Sequence, residues 1–186
     1  MKNQITNFCI FFLITFSALV KAEPIKLIFD TDMGNDVDDA LALAMLHSLE
    51  SRGEIELLAI TLTKDNDEVA PYVDAINTFY GRGEIPIGIT NSGLTPERSR
   101  FTGVTLESDD GQYIYPHDLQ LGDPAPNAML LLREVLADQP DHSVVIVQVG
   151  FSTNLAQLLD TRADEHSDLE GVELISRTVK HISIMA

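Results

Sequence analysis

The segment from Leu27 to His47, LIFDTDMGNDVDDALALAMLH, passes from an apolar run through five aspartates in ten residues into an apolar, alanine-rich run. Carboxylates packed this densely repel one another and are costly to desolvate. A fold that gathers them where a strand hands over to a helix therefore calls for a counter-charge, and a cation placed among them is the expected one. The rest of the chain reads as the scaffold for that cluster.

The flanking pattern predicts the scaffold. Ile25 to Phe29 is a short run of strand formers, and Asp38 to Leu49 is apolar all round, as in a helix buried against a sheet. The sequence repeats this alternation: Glu56 to Thr63 predicts a strand and Val69 to Tyr80 a helix, with Pro71 tolerated in the first turn. Gly81 and Gly83 end that helix, and Ile85 to Ile89 predicts a third strand. No period survives from Thr90 to Pro126, a length that in a compact domain marks a functional or mobile loop. Asn127 is the expected cap of a helix reaching Ala137, and Val144 to Val149 is the most strand-like run in the chain. Gly150 to Asn154 opens a further helix through Leu159, and a short helix near Leu169 to Arg177 precedes a last strand from Lys180. Strands alternating with helices of about a dozen residues specify βαβ units. The fold class is therefore α/β: a Rossmann-like, open, mainly parallel sheet with helices on both faces. The closing run KHISIMA reads as the start of a central strand without a covering helix. It is expected to be incomplete, as the carboxyl-terminal part of a longer α/β domain would follow it.

Residues 1–22 belong to another class. A positive start at Lys2, an apolar block of 13 residues from Phe8 to Val20, and small residues in Val20-Lys21-Ala22 predict a signal peptide cleaved after Ala22. The block is short of the roughly 20 residues that span a bilayer. The expected product is a secreted or periplasmic domain, 23–186, with no membrane contact after cleavage. The only cysteine, Cys9, would leave with the signal, so the domain would lack disulfides and rely on its core and a metal. Loss of Lys2 and Lys21 takes the formal charge from −17 to −19, with 10 basic against 29 acidic residues remaining. Such a surface repels phosphate backbones, which argues against nucleic acid as a partner.

In an open parallel sheet, ligands sit at the carboxyl ends of the strands, where Asp30, Asp32, Asp38, Asp39, Asn66 and Thr153 all fall. All-oxygen donors suit a hard cation, and no cysteine or histidine stands near them to favour zinc. At these residues the chain resembles the calcium-dependent, inosine-uridine preferring nucleoside hydrolases. The match consists of Asp30-Thr31-Asp32-Met33-Gly34 at a strand end, the Asp38-Asp39 pair with its Ala-Leu-rich helix, Asn66 after the second strand, and the Thr153-Asn154 pair after a later one. The resemblance covers Ile25 to Ala186, the amino-terminal half or so of such an enzyme. It implies that Asp32 and Asp39 ligate Ca²⁺ through carboxylates and Thr153 through its main-chain carbonyl. Asp38 would be the general base toward a calcium-bound water and a contact to the substrate, and Asn66 would bind a ribose hydroxyl. The implied reaction is hydrolysis of the N-glycosidic bond of a ribonucleoside to free base and ribose. Its oxocarbenium-like sugar calls for negative charge near the ring and an activated water. The implied partner is a small ribonucleoside, and a homo-oligomer stays open.

Two features depart from the family pattern. The stretch between Asp32 and the paired acids is two residues longer, which leaves Asp36 as a rival to Asp38. The family's further ligating aspartate and its neighbouring histidine lie in a carboxyl-terminal half that these residues do not include. Asp30 reads either as a site residue or as a turn or cap residue, and His117, with Tyr113 and Tyr115, either as a base-stacking group or as an exposed loop residue. A haloacid-dehalogenase-like phosphotransferase also opens on a strand ending in DxD, with the first Asp as nucleophile, but expects Thr or Val where this chain has Gly34. An EF-hand-like calcium loop fits less well, because Gly34 replaces an expected oxygen ligand and Leu41 stands where its Glu should be. The remaining alternative is a truncated product that binds calcium without catalysis.

Overall fold

The structure, a computed structural model, describes residues 22–92, 94–120 and 125–185, so the expected signal peptide lies, except for Ala22, outside the described residues. Strand β1 (Ile25–Thr31) leads into helix α1 (Asp38–Ser51), β2 (Ile55–Leu62) into α2 (Val69–Phe79), and β3 (Ile87–Ile89) follows. A 3₁₀ turn (Thr102–Leu106) and a two-stranded ribbon of β4 (Ser108–Asp109) and β5 (Gln112–Tyr113) come next. Helix α3 (Ala128–Ala137), strand β6 (Val144–Gln148), helices α4 (Thr153–Leu159) and α5 (Gly171–Thr178), and strand β7 (Val179–Ile184) complete the order.

The main sheet has the order β3-β2-β1-β6-β7, and every pairing in it is parallel. Alternation along β1 explains why both faces are covered. Leu27 and Phe29 enter the layer formed with α1 and α2, among Leu43, Leu46 and Val73, whereas Ile28 enters the layer formed with α3, α4 and α5, among Leu132, Leu136 and Leu158. Full burial of side chains such as Ile28 and Phe29 stabilises by about 1.5–3 kcal/mol each. Among the described residues no helix is long and apolar enough to cross a membrane.

Three local features go beyond what the pattern specified. Helix α1 is not buried all round, since Leu41 and Met45 are exposed; as an outer layer on the sheet it has an inner face and an open one. Strand β7 is an edge strand among the described residues, with Lys180, His181, Ser183 and Ile184 exposed. The aperiodic stretch after β3 is tied down by polar contacts that periodicity cannot show, for the Asp74 carboxylate on α2 accepts from the backbone N–H of Asp118 (2.7 Å) and Leu119 (2.8 Å). The expected cap is present: Asn127 Oδ1 accepts from the N–H of Met129 (3.0 Å) and Leu130 (3.2 Å) at the start of α3.

Candidate active site

The strand order reverses between β1 and β6, because the connections from β1 run outward through β2 to β3 while β6 and β7 lie on the other side. That crevice at the carboxyl ends is where a doubly wound sheet admits a ligand. The loop after β6 lies directly on the loop after β1. A Cβ on Gly150 would stand 2.3 Å from the backbone nitrogen of Asp32 and 2.6 Å from the carbonyl carbon of Thr31, so only glycine permits this approach. Gly34, at φ +110°, supplies the left-handed turn that bends the β1 loop back toward α1.

Asp30 closes the floor of the crevice. It is fully buried, and its Oδ1 accepts from the Thr61 hydroxyl on β2 (2.6 Å) and from Asn154 Nδ2 on α4 (2.8 Å). Burial pushes its carboxyl up to about 6 against the pull of those two hydrogen bonds. Oδ2 has no hydrogen-bond partner among the described residues. Asp30 therefore knots β1, β2 and α4 together, and Asn154, half of the Thr153-Asn154 pair, acts through it. Thr153 opens α4 one residue earlier, just past the Gly150 contact with Asp32.

Above the floor sit the remaining acids. Asp39, in the first turn of α1, is buried, and its carboxyl is pushed up to about 7, first by burial and then by the charge of Asp32, against a hydrogen bond with Thr31. The exposed Asp36 and Asp38 share a hydrogen bond that raises the carboxyl of Asp36 and lowers that of Asp38. One oxygen each of Asp36, Asp38 and Asp39 lies within 4.8 Å of the others. Asp36 thus joins the cluster beside Asp38.

The donor set fits a hard divalent cation. It consists of carboxylate oxygens, one buried Asp30 oxygen lacks a partner among the described residues, and the buried Asp39 carboxylate lies within 4.8 Å of those of Asp36 and Asp38.

The other residues singled out in the sequence are placed differently. Both ends of the Asn66 amide are engaged, Nδ2 donating to the Glu97 carbonyl (2.8 Å) and Oδ1 accepting from Glu68 N–H (3.0 Å), so it fastens the loop around Glu97 to the end of β2. His117 is buried rather than exposed, with its ring 4.5 Å from that of Tyr113 and Nδ1 2.6 Å from the Tyr115 carbonyl oxygen. None of these contacts joins it to the acidic cluster. Two residues escaped sequence reasoning: Lys64, a buried ammonium beside the site, and Asn35, which donates to the Asp32 carboxylate. In sequence both sit in polar turns, where nothing in spacing sets them apart from solvated residues.

Fold and site together define a doubly wound α/β protein with a carboxylate-rich centre at its switch point. The family model described as inosine-uridine preferring nucleoside hydrolase matches residues 27–185, and the chain belongs to that family. The pyrimidine-specific ribonucleoside hydrolase RihA of Shewanella sp. (strain ANA-3) is 31% identical over 154 residues, which make up 80% of this chain and 46% of the relative. The RihA of Shewanella sp. (strain MR-7) is 30% identical over the same shares. The chain thus spans about half the length of the curated relatives it matches. Among solved structures, the purine-preferring ribonucleoside hydrolase from Gardnerella vaginalis superposes with a TM-score of 0.53 at 21% identity, over 86% of this chain and 48% of that one. The type III effector protein XopQ, solved in complex with adenosine diphosphate ribose, superposes with a TM-score of 0.64 at 17% identity, over 87% of this chain and 43% of that one. At those identities the likeness is one of fold.

Proposed function

We propose that this chain carries the cation-holding and proton-abstracting part of a ribonucleoside hydrolase, exported from the cytoplasm, that releases free base from a nucleoside. The observation that carries the reading is the pairing at the start of α1. Asp39 is buried, while its neighbour Asp38 is exposed, and one carboxylate oxygen of each lies within 4.8 Å of the other and of Asp36. One residue is suited to holding a cation and the next to accepting a proton.

In this reading Asp32 and Asp39, with the Thr153 carbonyl, would hold Ca²⁺, which when bound would supply a lowered water pKa and favour ribose binding. Asp38 takes the proton from the attacking water, with Asp36 tuning it. The negative cluster stabilises the positive charge that develops on the sugar as the glycosidic bond breaks. Asp30 is structural: it orients Asn154 and hence the start of α4. Asn66 keeps one N–H and one oxygen lone pair beyond its bonds to the Glu97 carbonyl and the Glu68 N–H, and these are what it would offer a ribose hydroxyl.

The phosphotransferase alternative requires Asp30 as a nucleophile. Its complete burial and two hydrogen bonds disfavour that role. The test is the ranking of variants in release of base from inosine or uridine. Asp38→Ala is expected to lose at least about 10²- to 10⁴-fold in turnover, the usual worth of a general base, and Asp36→Ala far less. The reverse ranking would move the base to Asp36.

A further inference from the structure

A buried lysine beside a centre suited to cations requires an explanation, because its charge opposes the ligand. Lys64 follows β2, its side chain is 5% exposed, and its Nζ donates to Asn35 Oδ1 at 3.1 Å and lies 3.5 Å from Glu97 Oε2. Asn35 turns its other end to the site, with Nδ2 donating to Asp32 Oδ2. An ammonium offers only donors and an ionised carboxylate only acceptors. A carboxamide can bridge the two in one orientation alone, oxygen toward Lys64 and nitrogen toward Asp32. The lysine thereby fixes which way the amide faces, and the amide fixes the Asp32 carboxylate. Asn35 is itself exposed and lies in the lengthened stretch between Asp32 and the paired acids, and among the described residues Lys64 is the buried group that anchors its side chain.

We infer that Lys64, acting through Asn35, is a positioning residue that holds the Asp32 carboxylate in place for the cation. The inference rests on the cation-binding reading given above. Groups behind metal ligands commonly matter by 10- to 100-fold in affinity. Here the sign of the effect is the diagnostic. If Lys64 acted only through its charge, removing that charge would lower local repulsion and tighten calcium binding. If it positions Asp32, removing it weakens binding despite the lowered repulsion.

The experiment is calorimetric titration of calcium into the chain completed at its carboxyl end, as wild-type protein, Asn35→Ala, Lys64→Met and the double variant, with thermal melts confirming that each is folded. Asn35→Ala, which changes no charge, is expected to weaken calcium by about 10- to 100-fold, and Lys64→Met to weaken it as well. In the Asn35→Ala background the relay is already cut. Lys64→Met should there leave affinity unchanged or improve it, a strong non-additivity. Should Lys64→Met fail to fold, Asn35→Ala, at an exposed position, decides the matter alone. Calcium binding left intact by Asn35→Ala, or tightened by Lys64→Met in the otherwise wild-type chain, would overturn the positioning role while leaving the cation reading standing. A wild-type protein that binds no calcium would overturn both.

Discussion

Replacing Arg133 with methionine tests how the site's second wall is held. Arg133, on α3, is fully buried, and its guanidinium donates to Asp164 Oδ2 (2.5 Å) and Oδ1 (2.9 Å), to the Thr161 hydroxyl (2.7 Å), and to the carbonyls of Ser167 (3.1 Å) and Leu169 (3.0 Å). One side chain thus fastens the whole segment between α4 and α5, and with it the far end of the helix that carries Thr153 and Asn154. Methionine keeps much of the apolar stem and removes every donor. Breaking a buried, hydrogen-bonded ion pair from one side costs about 3–5 kcal/mol, because the partner groups are left unpaired. Asp164 is 27% exposed and can recover some hydration, which points to the lower end, about 3 kcal/mol. At about 2–4 °C per kcal/mol for a chain of this size, the thermal midpoint should fall by about 6–12 °C.

The pH dependence of that loss gives a second check. The guanidinium holds the Asp164 carboxyl down to about 2 from 3.8, so the pair's contribution is fully present above pH 3.8 and is lost as pH falls through about 2. Urea unfolding followed by circular dichroism at pH 7 and near pH 2.5 should show the gap between wild type and variant narrowing in acid. A loss below about 1 kcal/mol at pH 7, in the range of an exposed ion pair, would refute the claim that Arg133 braces the site.

Two further predictions concern charge and processing. Asp30 and Asp39 have folded-state carboxyls raised to about 6 and about 7, so the folded chain binds protons that the unfolded chain releases, and their contribution to stability should fall as pH rises from about 4 through about 7. Saturating calcium should flatten that slope, and denaturation midpoints across this range that slope identically with and without calcium would count against the site. From the signal pattern, exported material should begin at or near Glu23; amino-terminal sequencing that recovers Met1 would exclude cleavage.

Where a residue's role follows from local pattern, the sequence conveyed it. Alternating strands and helices specified the parallel sheet because βαβ units leave few other ways to bury two faces, and Asn127 was recognisable as a cap from its place before an apolar run. The Asp38-Asp39 pair stood out because it continues the family pattern begun at Asp30 and Asp32; acids in the first turn of a helix are by themselves ordinary, since the helix dipole favours them. What stayed hidden depends on long-range contacts. Whether β7 is central or marginal is decided by what pairs with its outer edge, and the apolar outer surface of α1 looks the same in sequence whether covered or open. Asn66 sits in a polar turn that gives no hint of its double clamp on the Glu97 loop. Lys64 reads as a surface lysine, and Asn35 as loop filler, until the fold brings together positions 29 residues apart.

The most direct test of the central claim is release of free base from uridine or inosine by the chain completed at its carboxyl end, measured with calcium present and after removal of calcium by a chelator. The account predicts base release that is lost on chelation, restored by calcium rather than zinc, and absent in Asp38→Ala. Phosphate released from a phosphomonoester and abolished by Asp30→Asn, with no base freed from any nucleoside, would contradict it.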